Sequence, residues 1–157
     1  MRKELLIGVA IGLVLLGLAA SGVLWVNKDS HVILEGKIQQ VRTLFLEESA
    51  SFMVVDFRVT NPSGYPFVVR EVKVIVDGAE GNVVADRDAK RLFDYYKAIG
   101  PKFNDSLKPR DKVAAKQTVD RMVSARFELP ESKLKDRKSL VVRIEEVDGM
   151  VIELKQP

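Results

Sequence analysis

Hydrophobic and polar positions divide the chain into one uncharged apolar run and a longer segment in which short apolar stretches alternate with turn residues. The run covers Leu5–Val26 and holds only one hydroxyl side chain, Ser21. As a helix it would be about 33 Å long, which is enough to cross a hydrocarbon core of about 30 Å. We therefore predict a cytoplasmic N-terminus over 1–4, a transmembrane signal-anchor helix over 5–26 and an extracytoplasmic domain over 27–157.

The flanks of the run set its orientation. Arg2 and Lys3 precede it and Trp25 lies near its end, which favours a cytoplasmic N-terminus under the positive-inside rule. A cleaved signal peptide is the alternative, because small residues occur over 19–22. The run is longer than the usual apolar region of about 7–15 residues, which favours an uncleaved anchor. Gly8 and Gly12 have the spacing of a helix-pairing motif, so self-association is a further hypothesis.

After residue 31 the pattern changes to a period of two, which is typical of half-buried strands. It is clearest at Met53–Val59, and the turn residues of 61–66 follow it. The Asp148-Gly149 dipeptide predicts a tight primed turn in a final hairpin. Predicted strands cover 32–46, 53–60, 67–76, 81–85 (a short edge strand), a segment ending at 129, 140–144 and 150–154.

Only one stretch outside the anchor has helical periodicity. Leu92, Phe93, Tyr96 and Ile99 fall on one helical face, and we expect this face to pack on the open end of the strands. Asp86 or Asp88 would cap the helix, a reading we prefer to a calcium loop. The elements together predict a mainly β protein, an immunoglobulin-like antiparallel β-sandwich with one inserted helix, preceded by the transmembrane helix.

Several short motifs resemble a known family. They are Phe57–Val69 with its Asn61-Pro62 turn, Val72–Val74, Gly81–Val84 and Phe127–Pro130. In this order they resemble the late-embryogenesis-abundant type 2 domain, also called the water-stress and hypersensitive-response domain, over about half of the extracytoplasmic segment. Ser63 departs from the second Asn that is common in that family, and the helix is an insertion. The resemblance implies a sandwich fold and an association with membranes or stress protection, and it transfers no catalytic residue.

Composition restricts the chemistry. The chain has one histidine, His31, and no cysteine, which argues against a serine triad, a multi-histidine metal site and thiolate chemistry. With 25 basic and 22 acidic residues it also lacks the strongly basic character of nucleic-acid binders. We predict no catalytic residue, metal or cofactor. An enzymatic alternative would require a buried acid pair, such as Asp56 with a distant carboxylate.

One region combines aromatic and basic residues in a way that favours contact with a partner or a lipid surface. Its candidate partner-binding residues are Arg91, Tyr95, Tyr96, Lys97, Lys108 and Arg110. The leading hypothesis is a non-enzymatic, single-pass membrane protein whose extracytoplasmic module binds a protein or an envelope component. The alternative is a generic stress-protective or structural domain without a defined ligand.

Overall fold

Strands account for most of the residues that the structure describes, which confirms the mainly β prediction. The structure, a computed structural model, describes residues 13, 17, 33–84, 94–95, 97–99 and 105–156. All of its named strands lie in the compact unit Val32–Pro157. They are β1 (Glu35–Glu47), β2 (Ala50–Thr60), β3 (Phe67–Val76), β4 (Ala79–Val83), β5 (Lys112–Val113), β6 (Thr118–Phe127), β7 (Leu140–Glu146) and β8 (Val151–Lys155), with a short helix, α1 (Glu131–Lys135), between β6 and β7.

The strands form one curled antiparallel sheet in the order β1-β2-β6-β4-β3-β7-β8, with β5 added beside β3. Strand β4 makes the curl, because Ala79–Gly81 pair with β3 whereas Asn82 and Val83 pair with β6. The edge strands β1 and β8 approach each other, since a Cβ on Gly36 would lie 3.0 Å from Leu154 Cδ2. The sheet therefore wraps around a single main core.

Alternate residues of the strands fill this core. The predicted inward face of β2, which runs from Met53 to Val59, is fully buried, and so are Val74 and Phe127 on neighbouring strands. Strand β3 also follows the prediction, because Val72, Val74 and Val76 point inward. A register shift after Val69 also brings that residue and Phe67 to the inner side. Burial of these β-branched and aromatic side chains is the main source of stability for a domain without disulfides.

Strand β2 is buried on both faces, which the period-two pattern does not predict. Phe52, Val54 and Met122 form a second cluster, separate from the main core, on the outer face of β2 and β6. Leu44 and Leu46 of β1 pack against it from the same sheet. Here the outer face of the sheet is covered instead of exposed to solvent.

The two Asp-Gly dipeptides make different turns. Asp77 and Gly78 have φ of 48° and 86° between the paired residues Val76 and Ala79, which is the geometry of a two-residue type I′ turn. At the β7–β8 hairpin only Gly149 has a positive φ, and its N–H donates to the Glu146 carbonyl at 2.9 Å. The predicted hairpin is present, but its longer loop uses an ordinary turn followed by a left-handed glycine.

Other boundaries also differ from the sequence predictions. Strand β4 begins at Ala79 and lies between β3 and β6, so it is not the edge strand predicted over 81–85. The helix Glu131–Lys135 and the two-residue strand β5 were not predicted, because five and two residues are too few to show a period. In the predicted helix, residues 94, 95 and 97–99 are helical, whereas Leu92, Phe93 and Tyr96 lie outside the described residues.

The predicted anchor over 5–26 lies outside the described residues except for Leu13 and Gly17, which are both helical. Within the part of the chain that is described, no helix has the length and apolar character needed to cross a membrane. The anchor, and the domain boundaries at residues 4 and 26, remain predictions.

Candidate functional site

A helical segment, described at residues 94, 95 and 97–99, packs against the second cluster on the outer face of the sheet. Tyr95 stacks on Phe52 with ring centroids 5.0 Å apart at an interplanar angle of 49°, a favourable tilted aromatic contact. Ile99 and Val84 pack on the same cluster, which we call the outer cluster (Phe52, Val54 and Met122 with these covering side chains). Tyr95 is thus half-buried and faces the sheet. It differs in this respect from Lys97, which is exposed on the same segment.

A buried ion pair lies next to the outer cluster on the same face of β2. Arg42 Nη2 donates to Asp56 Oδ2 at 2.6 Å, and the two side chains are only 12% and 8% exposed. Asp56 Oδ1 accepts no hydrogen bond from any residue that the structure describes. Burial raises the pKa of the Asp56 carboxyl, and the Arg42 guanidinium opposes this shift. Asp56 therefore faces an arginine, not the second carboxylate that the enzymatic alternative requires.

Farther along this face the polar contacts become exposed. Asp120 of β6 accepts two hydrogen bonds from Arg58, at 2.7 and 2.8 Å, and a third from Gln39. The hydrogen bonds from Arg58 lower the pKa of Asp120. The outer face thus changes from an apolar cluster, through a buried pair, to a solvated charge network.

The other surface of interest is the end of the sheet at which the chain enters from its N-terminal side. Glu35, the first residue of β1, pairs with the last residue of β2, Thr60, which also pairs with the first residue of β6. The start of β3 and the end of β7 meet at this end too, since Val69 pairs with Glu146. We call it the proximal end, consisting of Ile33, the loops 61–66 and 147–150, the segment 108–117 that contains β5, and Val151, the first residue of β8.

A buried asparagine organises the first of these loops. Asn61 Nδ2 donates to the carbonyls of Tyr65 and Val113 at 2.8 and 3.0 Å, and its Oδ1 accepts the Ser63 N–H at 3.0 Å. Ser63 Oγ accepts the Tyr65 N–H at 3.1 Å. Asn61 is fully buried and uses its donors and its acceptor, so it fixes the loop that presents Tyr65.

Basic residues occupy strained positions in the second loop. The Asp111 N–H donates to the Lys108 carbonyl, and Arg110, the third residue of this turn, has a φ of 75°. The Gln117 N–H likewise donates to the Ala114 carbonyl, and Lys116 is the third residue there with a φ of 60°. Glycine is the preferred residue at such positions, because a left-handed conformation costs other residues free energy.

Exposed apolar side chains are concentrated at the same end. Among the described residues, seven large hydrophobic side chains are exposed, and four of them lie here: Ile33, Tyr65, Val147 and Val151. Tyr65 is the most exposed of the four, at 60%. Scattered single residues of this kind are ordinary, but four at one end beside basic turns form an amphipathic surface.

The opposite end has an open cavity of about 240 Å³ with polar walls. It is lined by Lys135, Arg137, Lys138, Ser139, Leu140 and Gln156. Arg137 donates to the Gln156 side chain at 2.6 Å and to the Leu134 carbonyl at 2.8 Å, so its guanidinium fastens the C-terminal strand to α1. Arg137, which lines the cavity, therefore has a structural role, and we do not assign a ligand to this cavity.

The predicted partner-binding residues occupy two different places. Tyr95 and Lys97 lie over the outer cluster, whereas Lys108 and Arg110 are exposed at the proximal end beside the start of β3. Arg91 and Tyr96 lie outside the described residues. Tyr65 and Lys116 were not predicted. The position of Tyr65 among the turn residues of 61–66 was a usable signal, whereas the turn at 114–117 contains no glycine, proline, asparagine or aspartate that would indicate it.

The described residues include no group of three or more His, Asp or Glu side chains placed to hold a metal ion. The chain matches no protein-family model, no curated protein and no solved structure in the comparisons with known proteins.

Proposed function

We propose that this protein is a non-enzymatic, single-pass membrane protein whose extracytoplasmic β domain binds a protein or an envelope component. The domain would be an immunoglobulin-like sandwich, an interpretation supported by the way β4 leaves β3 and joins β6. The N-terminus would be cytoplasmic. The uncharged run Leu5–Val26 and the preceding Arg2 and Lys3 support this arrangement.

One observation carries the binding role: the described part of the helical segment lies on the outer face of the sheet. Among the described residues, those buried in the main core lie on the strands, their loops and α1, whereas Tyr95 and Ile99 pack on the outer cluster. A segment on the surface of a sheet can present side chains to a partner, as binding loops on rigid scaffolds do. Asp94, Lys97 and Ala98 are the exposed residues of its described part.

The same geometry selects the probe for a direct test. Because Tyr95 packs on Phe52, replacing it would disturb the outer cluster, whereas Lys97 is exposed on the same segment. We would place a photoreactive residue at position 97 of the full chain, crosslink in native membranes and identify the products by mass spectrometry. Lys133, an exposed lysine of α1, provides the matched control position.

A discrete protein or envelope component captured from position 97 and absent at position 133 is the expected result. Equal, diffuse products from both positions would contradict the binding role. They would favour the alternative, a protective or structural domain without a defined ligand, in which substitutions on the surface have little effect. The resemblance of Phe57–Val69 to late-embryogenesis-abundant type 2 domains supports that alternative.

A further inference from the structure

We infer that the proximal end of the domain is a contact surface for anionic lipid headgroups, formed by Tyr65, Val147 and the cationic turns of Lys108, Arg110 and Lys116. This inference rests on the proposed membrane anchor. It assigns a second surface, distinct from the helical segment over the outer cluster, and a chemical class of ligand.

The chain enters the domain from the predicted anchor at this end. Leu34 is buried in the main core, so the folded domain includes the chain from that residue onward, and β1 starts at Glu35. Between the predicted anchor, which ends at Val26, and Ile33 there are six residues, which span at most about 20 Å. With the proposed anchor in a membrane, this short link would hold Ile33, the point where the chain enters the domain, near the headgroups.

Two of the cations lie at backbone positions that glycine would adopt more easily. Of the three non-glycine residues with positive φ among those described, Arg110 and Lys116 are both basic and both lie at this end. Glycine would relieve the backbone in each turn. Residues held in such conformations tend to occur at functional sites.

The side chains at this end have the composition of a lipid interface. The loop 108–117 has four cations, Lys108, Arg110, Lys112 and Lys116, against one carboxylate. That carboxylate, Asp111, accepts the Lys108 N–H within its own turn at 2.9 Å. Exposed Tyr65 and Val147 add the amphipathic and apolar groups that insert among headgroups, while Asp148 is the acidic residue of the neighbouring loop.

Because the predicted anchor already holds the chain at the membrane, a weak contact with the headgroups is sufficient to orient the domain. A single cation near an anionic surface changes affinity about fivefold, so a few of them would not retain a free domain on a membrane. A short link raises the effective concentration of the domain at the surface to the millimolar range. Docked orientations can then predominate without any high-affinity site.

The test uses the full chain reconstituted in vesicles of phosphatidylcholine, with or without phosphatidylglycerol. Because the chain has no cysteine, a single substitution, Tyr65→Cys, gives a unique site for a fluorescent label, and Glu48→Cys in the β1–β2 turn at the opposite end is the control. A lipid with a quencher on its headgroup reports proximity. Retention of the chain in the vesicles after alkaline extraction is measured separately and tests the anchor alone.

We expect strong quenching at position 65 that requires phosphatidylglycerol, with weak quenching at position 48. The double variant Arg110→Gly/Lys116→Gly should reduce the ratio of docked to undocked domain roughly 25-fold if the two cations act independently. Its melting temperature should stay close to that of the unsubstituted chain, because glycine suits both turns and offsets the hydrogen bond that Lys116 Nζ donates to the Pro62 carbonyl.

Quenching at position 65 that is independent of phosphatidylglycerol, or that survives the double substitution, would overturn the inference while leaving the anchor intact. Dipolar coupling between spin labels at position 65 of two chains would also overturn it and assign the surface to self-association. Release of the chain by alkaline extraction would refute the anchor itself, and with it the proposed function.

Discussion

Removing one member of the buried Arg42–Asp56 pair is expected to cost more stability than removing both. The side chains are 12% and 8% exposed, so neither charge is solvated by bulk water when its partner is lost. Breaking a buried pair from one side typically costs about 3–5 kcal/mol, whereas replacing both members with apolar residues is often neutral. We therefore expect Arg42→Met/Asp56→Leu to lie within about 1 kcal/mol of the unsubstituted chain.

The two single variants should differ from each other. Asp56→Leu removes the carboxylate partner of a buried guanidinium that cannot lose its proton, so we expect a cost of up to about 3–5 kcal/mol near neutral pH. Arg42→Met leaves a carboxyl group that can take up a proton. Its pKa, already raised by burial, loses the opposing effect of the arginine and rises further.

The sign of the pH dependence follows from linkage. A carboxyl group whose pKa is higher in the folded than in the unfolded chain contributes stability below the unfolded pKa and loses it as the pH rises through the folded pKa. The cost of Arg42→Met should therefore decrease as the pH falls through the raised folded pKa toward the unfolded pKa of the carboxyl group, by at most about 1.4 kcal/mol per pH unit.

Urea unfolding of the full chain in mild detergent, followed by circular dichroism, measures these differences. Tryptophan fluorescence is unsuitable because Trp25 lies in the predicted anchor. The exposed pair of Arg143 and Glu153 is the matched control, and its removal should change stability little. Equal, pH-independent costs for the two single variants, or a double variant as unstable as their sum, would refute the reasoning.

Three further predictions concern the loop, the curl and the surface charges. Asn61→Ala should lower the free energy of unfolding by about 2–4 kcal/mol, because two carbonyls lose their donor, and a change below about 1 kcal/mol in urea unfolding would contradict this. Gly81→Ala should cost about 1–3 kcal/mol, since its Cβ would lie 2.5 Å from the Phe127 ring, whereas an unchanged melting temperature would show that the ring yields freely. Arg58→Met should lower the free energy of unfolding of the domain more at neutral than at acid pH. Asp120 has a pKa lowered by Arg58, so the stability it contributes is present above its unfolded pKa and is lost as the pH falls; a loss that is equal across a pH series would disprove this assignment.

The sequence predicted the parts of the fold that depend on local periodicity. The alternation in β2 and β3, the Asn61–Pro66 turn and the β7–β8 hairpin were all found where their residues indicated. Burial of both faces of β2 was missed, although the continuous apolar run Phe52–Val55 is the usual signature of a strand covered on both sides.

Features that depend on distant partners were beyond prediction. Strand β4 resembles an edge strand by length and by its glycine, and only its pairing with β6, about 40 residues later in the chain, makes it internal. The same applies to Asp56, whose partner Arg42 lies on the adjacent strand in a register that includes a bulge. The amphipathic character of the proximal end also emerges only once three loops meet.

The topology of the full chain in a membrane decides whether this protein is a membrane-anchored extracytoplasmic module. A single cysteine introduced at Glu48, in the exposed β1–β2 turn, would be treated with a membrane-impermeant maleimide in sealed cells stripped of any wall, and the membranes would then be extracted with alkaline carbonate. We expect labelling from outside and retention of the chain in the membrane pellet. Labelling only after lysis, or release of the chain by carbonate, would contradict a membrane-anchored extracytoplasmic module.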